Sequence, residues 1–209
     1  MFNDLDNLFR FDKSNIHLAG KVAARAYFEA DDFSTSTKDP SKQMKFLTKL
    51  MNLTFQISVK FGSVYAPTNA IEGVAGWLPH DKIKISNWHY IRHGALSAFF
   101  RAGKEGRRNL LRYSGINSKK HKQHANFPHM YLFNIAVDPK YQGKGYASRL
   151  LKPMFAKLDE ENLPCYLESP ERNLALYEHF GFEVVEHISF PENDNEIWLM
   201  LRKNKQQTQ

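Results

Sequence analysis

One short turn in the sequence, Gln142–Ala147 (QGKGYA), has residue types that suit the binding of phosphate groups. Gly143 and Gly145 let the backbone approach a ligand without a Cβ in the way. The N–H groups that open the following helix, the positive end of its dipole and the ammonium group of Lys144 all favour an anion such as a pyrophosphate. On spacing alone, the same pattern also fits a tight turn between a strand and a helix.

The turn differs from two common phosphate-binding motifs. A P-loop needs Lys followed by Ser or Thr after a second glycine, and the residues around Lys144 do not provide it. The dinucleotide fingerprint GxGxxG needs a third glycine, but Ser148 stands at that position. It also needs an acidic residue on a following strand, which we do not find at the usual distance. The sequence therefore predicts an anion site of another class.

The residues around the turn have the pattern of a parallel β–α–β unit. Tyr131–Val137 is typical of a buried strand, and Pro164–Ser169 of the next one. Pro153 lies inside the intervening helix, where its missing N–H costs about 3 kcal/mol, so we expect one kinked helix and not two helices. This helix, Gly145–Glu160, has one apolar face made of Ala147, Leu150, Leu151, Met154, Phe155 and Leu158.

The C-terminal part of the chain predicts a short helix and a hairpin. The helix runs from about Pro170 to Phe180 and ends at Gly181, a residue type typical of the position after a helix. The strands Phe182–Ile188 and Ile197–Arg202 then pair around a polar turn. Together with the β–α–β unit, these elements indicate a mixed α/β sheet with helices on both faces.

The N-terminal part predicts a short strand, Asn7–Phe11, and two helices. The first helix is expected from Ser14, as its N-cap, to about Ala30. The second is expected to start at Asp39 and Pro40, a cap followed by a first-turn proline.

A hairpin of SVYAP and IEGVAGWLP follows these helices. Gly73 and Gly76 are expected to mark a bulge or the close approach of a ligand. After the hairpin we expect a helix from Asn87 and a short helix, Arg107–Tyr113.

The basic residues are concentrated in one segment. The chain of 209 residues has a net charge of +7. Between Arg101 and Lys122 there are eight Lys or Arg residues and one acidic residue, Glu105, which accounts for the whole net charge. Such a segment indicates contact with an anion, or a solvated connection. No zinc-finger spacing or RNA-binding aromatic motif accompanies it, which argues against a nucleic-acid partner.

The compartment is predicted from the cysteine count and from the N-terminus. Cys165 is the single cysteine, which indicates a reducing compartment. The first residues lack the basic and apolar regions of a signal peptide, and no run of about 18 apolar residues occurs. We therefore expect a cytoplasmic protein without a membrane partner.

Three stretches of the sequence resemble one family of enzymes. IAVDPKYQGKGYASRLL resembles the acetyl-coenzyme A signature Q/R-x-x-G-x-G/A of the GNAT N-acetyltransferase superfamily, with Gln142, Gly145 and Ala147 at its defined positions. YLESPERNLALYEHFGFEVV resembles the second half of the same superfamily. LLKPMFAKLDEENLPCYLES resembles in particular the puromycin N-acetyltransferase-like subgroup. The resemblance is specific over about Met130 to Arg202.

The resemblance implies a GNAT-like fold. This fold has a central, twisted, mostly antiparallel sheet, a splayed pair of parallel strands and helices on both faces. It also implies a single acetyltransferase domain over residues 1–209. The acceptor-side half is expected over 1–129, with a helical insertion at 84–124, and the acetyl-CoA-binding half over 130–203.

The resemblance further implies roles for the matched residues, with acetyl-CoA as co-substrate and no metal. Asn173 is expected to contact the pantetheine arm or to cap its helix. Tyr177 is expected to protonate the departing thiolate, because a phenol with a pKa near 10 carries its proton at pH 7. The backbone of two segments is expected to bind coenzyme A: Ile135, Ala136 and Val137 at the pantetheine arm, and Gln142, Gly143, Lys144, Gly145, Tyr146 and Ala147 at the pyrophosphate.

The base that deprotonates the amine is harder to assign. The strand Tyr131–Val137 contains no carboxylate. Our first candidate is Glu168, at the carboxyl end of the next strand and on the same side as Tyr166. Glu72 and His129 are further candidates. Ordered water without a dedicated base is the alternative.

These features predict an acetyl-CoA-dependent N-acetyltransferase that acts on a primary amine of a small molecule. One alternative is an enzyme that acetylates an amino group of a protein or peptide. Another is a non-catalytic module that binds coenzyme A or nucleic acid through the basic segment. A homodimer is left open.

Overall fold

The described structure contains seven strands and five α-helices. It is a computed structural model that describes residues 5, 7–30, 39–83, 103–190 and 195–203. The strands are β1 (Phe9–Arg10), β2 (Ser63–Ala66), β3 (Gly73–Pro79), β4 (Met130–Val137), β5 (Cys165–Ser169), β6 (Glu183–Phe190) and β7 (Asn195–Arg202). The helices are α1 (Ile16–Glu29), α2 (Pro40–Phe61), α3 (Gly103–His124), α4 (Tyr146–Glu160) and α5 (Leu174–His179).

The strands form one mixed sheet in the order β1-β2-β3-β4-β5-β7-β6. Among the described strands, β4 and β5 are the parallel pair, and all other neighbours are antiparallel. The β–α–β unit and both predicted hairpins are therefore confirmed. So is the predicted fold class, a mostly antiparallel α/β sheet with one parallel pair.

A bulge interrupts the pairing of β3 with β4. Gly76 pairs with Asn134 and Trp77 with Leu132, so Phe133 is an extra residue in β4. The predicted irregularity at Gly76 is confirmed, although the extra residue belongs to the partner strand. The close approach there is made by α2 and not by a ligand, because a Cβ on Gly76 would lie 2.8 Å from the Ser58 Oγ atom.

Helices cover both faces of the sheet. Helices α1 and α2 pack on one face, against the side chains of Val64 and Val74. Helices α4 and α5 pack on the opposite face, against Trp77 and Leu132. The C-terminal part of α3 packs against Tyr166, on the face that carries α1 and α2. None of the helices in the described ranges is long and apolar enough to cross a lipid bilayer.

Two helix ends and the continuity of one helix follow the sequence prediction. The Asp39 carboxylate accepts hydrogen bonds from the N–H groups of Ser41 and Lys42, with Pro40 in the first turn. Gly181 has a φ of 83°, which suits glycine at the position after a helix. Helix α4 is continuous through Pro153, as expected.

Two helix predictions were wrong in their details. Ser14 is not the cap of α1, because its N–H and its hydroxyl both donate to the Asp12 carboxylate, and the helix begins at Ile16. The short helix Arg107–Tyr113 is part of the much longer α3. The helix expected from Asn87 lies outside the described residues.

Candidate active site

The glycine turn between β4 and α4 holds an open backbone conformation. Gly143 and Gly145 have φ values of 72° and 79°, in the left-handed region that favours glycine. Gly145 occupies the N-cap position of α4 and brings no side chain to cap the first turn. The opening N–H groups of α4 are therefore not satisfied by a capping side chain at this position and suit an anionic ligand.

Two side chains attach this turn to the rest of the protein. The Gln142 Nε2 atom donates to the Val137 carbonyl at 3.0 Å, which holds the turn against the end of β4. The buried Asp138 carboxylate accepts from the Arg25 Nε atom at 3.0 Å and from a second guanidinium nitrogen of Arg25. Helix α1 is therefore linked directly to the start of the turn.

The parallel strands β4 and β5 separate towards this turn. They pair only at Met130 with Cys165 and at Tyr131 with Tyr166. Beyond these pairs lies a cavity of about 540 Å³, lined by β4, the glycine turn, the end of β5 and α5. The edge of β4 that faces the cavity is thus not paired with β5 from Leu132 onwards, which leaves space for an extended ligand beside it.

The cavity brings together the predicted site residues, with one exception. Its lining includes Glu168, Tyr177, Ile135, Ala136, Val137, Gln142, Gly143, Gly145, Tyr146, Ala147 and Asn173. Lys144 is not part of the lining, because its Nζ atom turns back to donate to the Lys140 carbonyl at 2.9 Å.

Asn173 lines the cavity at the N-cap position of α5, but its side chain makes no capping hydrogen bond. The expectation that it caps its helix was therefore wrong. Contact with the pantetheine arm remains the prediction for this residue.

Tyr177 is a buried phenol at the α5 side of the cavity. Burial raises its pKa above the ordinary value, and the nearby phenol of Tyr27 acts in the same direction. Tyr177 therefore carries its proton at neutral pH and can act as a proton donor. Tyr27, which lines the cavity from α1, donates to the Ile135 carbonyl at 3.3 Å. No signal in the sequence distinguished Tyr27 from other helix tyrosines.

Glu168 lies on the β5 side of the same cavity, with its side chain about one-tenth exposed. The Tyr131 hydroxyl donates to its Oε2 atom at 2.5 Å. Burial raises the pKa of Glu168 to about 7, and the phenols of Tyr131 and Tyr166 partly oppose that shift. A carboxyl group with this pKa is well matched to accept a proton from an amine near neutral pH.

The other candidate bases lie away from the cavity lining. The Glu72 carboxylate accepts a hydrogen bond from the Thr68 hydroxyl, at 2.9 and 3.0 Å to its two oxygens. His129 is buried and bonded to His121 and to the Phe127 carbonyl. Glu168 is therefore the carboxylate that the fold brings to the cavity.

Comparison with known proteins gives a family match over more than half of the chain. The model of the acetyltransferase (GNAT) family matches residues 66–182. An uncharacterized N-acetyltransferase of Schizosaccharomyces pombe is 38% identical over 80 residues, which are 38% of this chain and 32% of that protein. The match thus spans about a third of the length of this curated relative.

Solved structures share the fold at low sequence identity. A histone acetyltransferase HPA2 and related acetyltransferase from Corynebacterium glutamicum has a TM-score of 0.67 and 19% identity, covering 95% of this chain and 96% of that one. The Drosophila melanogaster polyamine N-acetyltransferase, an enzyme that catalyses the formation of N-acetylagmatine, has a TM-score of 0.58 and 13% identity, covering 94% and 98%. Because the family model matches more than half of the chain, the chain belongs to the acetyltransferase (GNAT) family.

Proposed function

We propose that the protein transfers an acetyl group directly from acetyl-CoA to a primary amine of a small molecule, with Glu168 as general base and Tyr177 as general acid. The observation that carries this proposal is that both side chains line one cavity together with the glycine turn and the unpaired edge of β4. This arrangement supports the proposal, because a proton acceptor and a proton donor border the space in which we expect the thioester.

The residues divide the proton transfers of the reaction between them. Glu168 takes a proton from the ammonium form of the acceptor, and the electron pair of that N–H bond stays on nitrogen as the nucleophile. A backbone N–H group of β4 near Val137 is the proposed donor to the negative charge that develops on the carbonyl oxygen. The neutral nitrogen forms a bond to the carbonyl carbon, and as the carbonyl re-forms and the carbon–sulfur bond breaks, Tyr177 gives its hydroxyl proton to the sulfur. The surplus proton on the new amide nitrogen passes to the Tyr177 phenolate, which restores the phenol.

The composition of the lining supports a small acceptor with few charges. Among the described lining residues, Glu168 is the only carboxylate, and most of the others are apolar, aromatic or small. A basic peptide tail would gain more from a groove with several acidic side chains. Acetylation of a protein amino group is therefore the second candidate.

Turnover of acetyl-CoA, followed by thiol release, tests the proposal with a panel of primary amines and basic peptides. We expect a small amine to drive turnover. We expect Tyr177→Phe and Glu168→Gln each to lower kcat/KM by about 10²-fold or more, because each loses a proton-transfer group. The matched controls are Tyr65→Phe and Glu72→Gln, which change a buried tyrosine and a buried glutamate outside the cavity lining.

Three results would contradict parts of the proposal. Turnover with basic peptides but with no small amine would favour the second candidate. Full activity of Glu168→Gln would remove the assigned base, and full activity of Tyr177→Phe would remove the assigned acid.

A further inference from the structure

The second carboxylate oxygen of Glu168 is buried without a partner. Whereas Oε2 accepts from Tyr131, Oε1 has no hydrogen-bond partner among the described residues. The Nδ1 atom of His121 lies 3.8 Å from Oε1. A buried oxygen of this kind is unfavourable unless a partner forms in some state of the protein. The protonation state of His121 therefore decides what Oε1 can do.

The protonation of the two buried histidines follows from the atoms around them, starting at His129. Its Nδ1 atom lies 2.7 Å from the Phe127 carbonyl oxygen, which can only accept, so Nδ1 carries the proton. Burial lowers the pKa of His129, so the ring is neutral at pH 7 and its Nε2 atom has no proton. Nε2 of His129 is therefore a hydrogen-bond acceptor.

The same reasoning extends to His121. Its Nε2 atom lies 2.8 Å from Nε2 of His129, so His121 must donate here. Burial, assisted by His129, lowers the pKa of His121 to about 3, and this ring is also neutral. Its single proton is on Nε2, and the Nδ1 atom that faces Glu168 therefore has none.

An unprotonated nitrogen can bond to Glu168 only when the carboxyl group is protonated. The other groups around Glu168 do not change this conclusion. Tyr131 on β4 donates to the other oxygen. The buried Tyr166 hydroxyl, on β5, has no hydrogen-bond partner among the described residues, and it favours the ionised carboxylate. Behind Tyr166, the β6 residue Glu186 is paired with Lys120 and His124 of α3. The His80 ring lies 6.0 Å from that of His129, at the far end of the chain of hydrogen bonds.

We propose that His129 and His121 are positioning residues for Glu168. His129 holds the proton of His121 on Nε2, and the unprotonated Nδ1 atom of His121 then accepts a hydrogen bond from the Glu168 carboxyl group once that group has taken the proton of the amine. This inference rests on the proposed function of Glu168 as the base. The proton moves from the ammonium nitrogen to Oε1, the N–H electron pair stays on nitrogen, and the new O–H donates to His121 Nδ1. Since hydrogen bonds of this type are about 2.8 Å long, the carboxyl group moves by about 1 Å to make it.

The arrangement matches the raised pKa of Glu168, because a neutral acceptor beside Oε1 favours the protonated carboxyl group over the ionised one. In this arrangement His129 also affects the pKa of Glu168 without touching it, because His129 determines which nitrogen of His121 carries the proton. If the acceptor on His129 is removed, His121 is free to carry its proton on Nδ1 and to donate to ionised Glu168.

The first test is a long-range ¹H–¹⁵N NMR spectrum of the histidine rings of the wild-type protein between pH 5 and 8. We expect His129 to be neutral with its proton on Nδ1, and His121 to be neutral with its proton on Nε2. A protonated His121 at pH 7, or a His121 proton on Nδ1, would overturn the proposal. This measurement needs no substrate and no variant.

The second test is the pH dependence of kcat/KM in His129→Phe. We expect its acidic limb to move to lower pH by about one unit or more relative to wild type. His129→Gln, whose amide oxygen can accept from His121, should restore part of the shift. His124 lies on α3 like His121 but outside this chain of hydrogen bonds, so His124→Gln should leave the acidic limb at its wild-type pH. An unmoved limb in His129→Phe would overturn the role of the pair, while acetyl transfer itself would stand.

Failure of the proposed acetyl transfer can be distinguished from failure of the histidine pair. If no amine supports turnover, the ¹³C resonance of the Glu168 carboxyl group reports its titration directly. A midpoint near pH 7 in wild type that falls in His129→Phe would support the histidine pair even then. An identical midpoint in both proteins would exclude it.

Discussion

At the scale of residues, burial has different chemical consequences for Tyr177 and Glu168. It raises the pKa of both groups. For the phenol this keeps the proton in place, as a general acid requires. For the carboxyl group it produces a stronger base that is ionised only above about pH 7. We therefore expect kcat/KM to rise with pH through this range and Glu168→Gln to lose that rise.

The pKa of Glu168 also makes the stability of the protein depend on pH. Folding raises the pKa of Glu168 from 4.5 to about 7. The contribution of Glu168 to the free energy of unfolding is therefore fully present below pH 4.5 and is lost as the pH rises through 7. Over this range, the free energy of unfolding of wild type should fall by about 3 kcal/mol more than that of Glu168→Gln. Urea unfolding of both proteins at pH 5 and pH 8 measures the difference. Parallel changes in the two proteins would contradict the assigned pKa.

The sequence suggested some of these residues but not their arrangement. Glu168 and His129 were considered as separate candidate bases. Their connection through His121 depends on α3 packing against both β4 and β5, and β5 lies more distant in the chain, after α4. Neither residue spacing nor polarity encodes such a contact. The tautomer of His129 also depends on the Phe127 carbonyl, whose direction is set only by the folded backbone.

At the scale of elements, the link between α1 and the glycine turn has a measurable role. Asp138→Asn weakens the pair with Arg25 and should raise the KM for acetyl-CoA several-fold, with a loss of about 1–3 kcal/mol in the free energy of unfolding. Asp159→Asn is the matched control, because it weakens a pair with Arg202 away from the cavity. We expect Asp159→Asn to lose stability without a change in this KM. Equal KM values in the two variants would show that the link does not position the turn.

The elements that were predicted correctly are those with strong local signals. The apolar run of β4, the glycines of the turn and the periodic face of α4 all point to the same local structure. Helix α3 was predicted too short, because its glycines and charged residues weaken the helical pattern. Contacts outside the helix compensate, since His121 is buried among Tyr131 and Tyr166 and Lys120 pairs with Glu186. The cap of α1 was missed because Asp12 takes the hydrogen bonds of Ser14.

At the scale of the whole molecule, the positive charge and the cavity lie on different elements. Lys119 and Lys122 are exposed on α3, and none of the α3 side chains that the structure describes is part of the cavity lining. The double variant Lys119→Gln/Lys122→Gln should therefore bind acetyl-CoA with unchanged affinity. Lys144→Gln, in the glycine turn, should bind it more weakly and with a smaller dependence on salt. Isothermal titration calorimetry at two salt concentrations compares them, and weaker binding by the double variant would show that the basic helix reaches the cofactor.

The separation of β4 from β5 leaves a gap in the hydrogen bonding at the centre of the sheet. A ligand that pairs with the free edge of β4 would act as a missing strand and would bind the native state alone. Such binding stabilises the native state by about 2.7 kcal/mol at a ligand concentration one hundred times the Kd. If acetyl-CoA is this ligand, as we propose, the resistance of the protein to unfolding should follow the acetyl-CoA concentration around it, and a shortage of acetyl-CoA would shorten the lifetime of the protein.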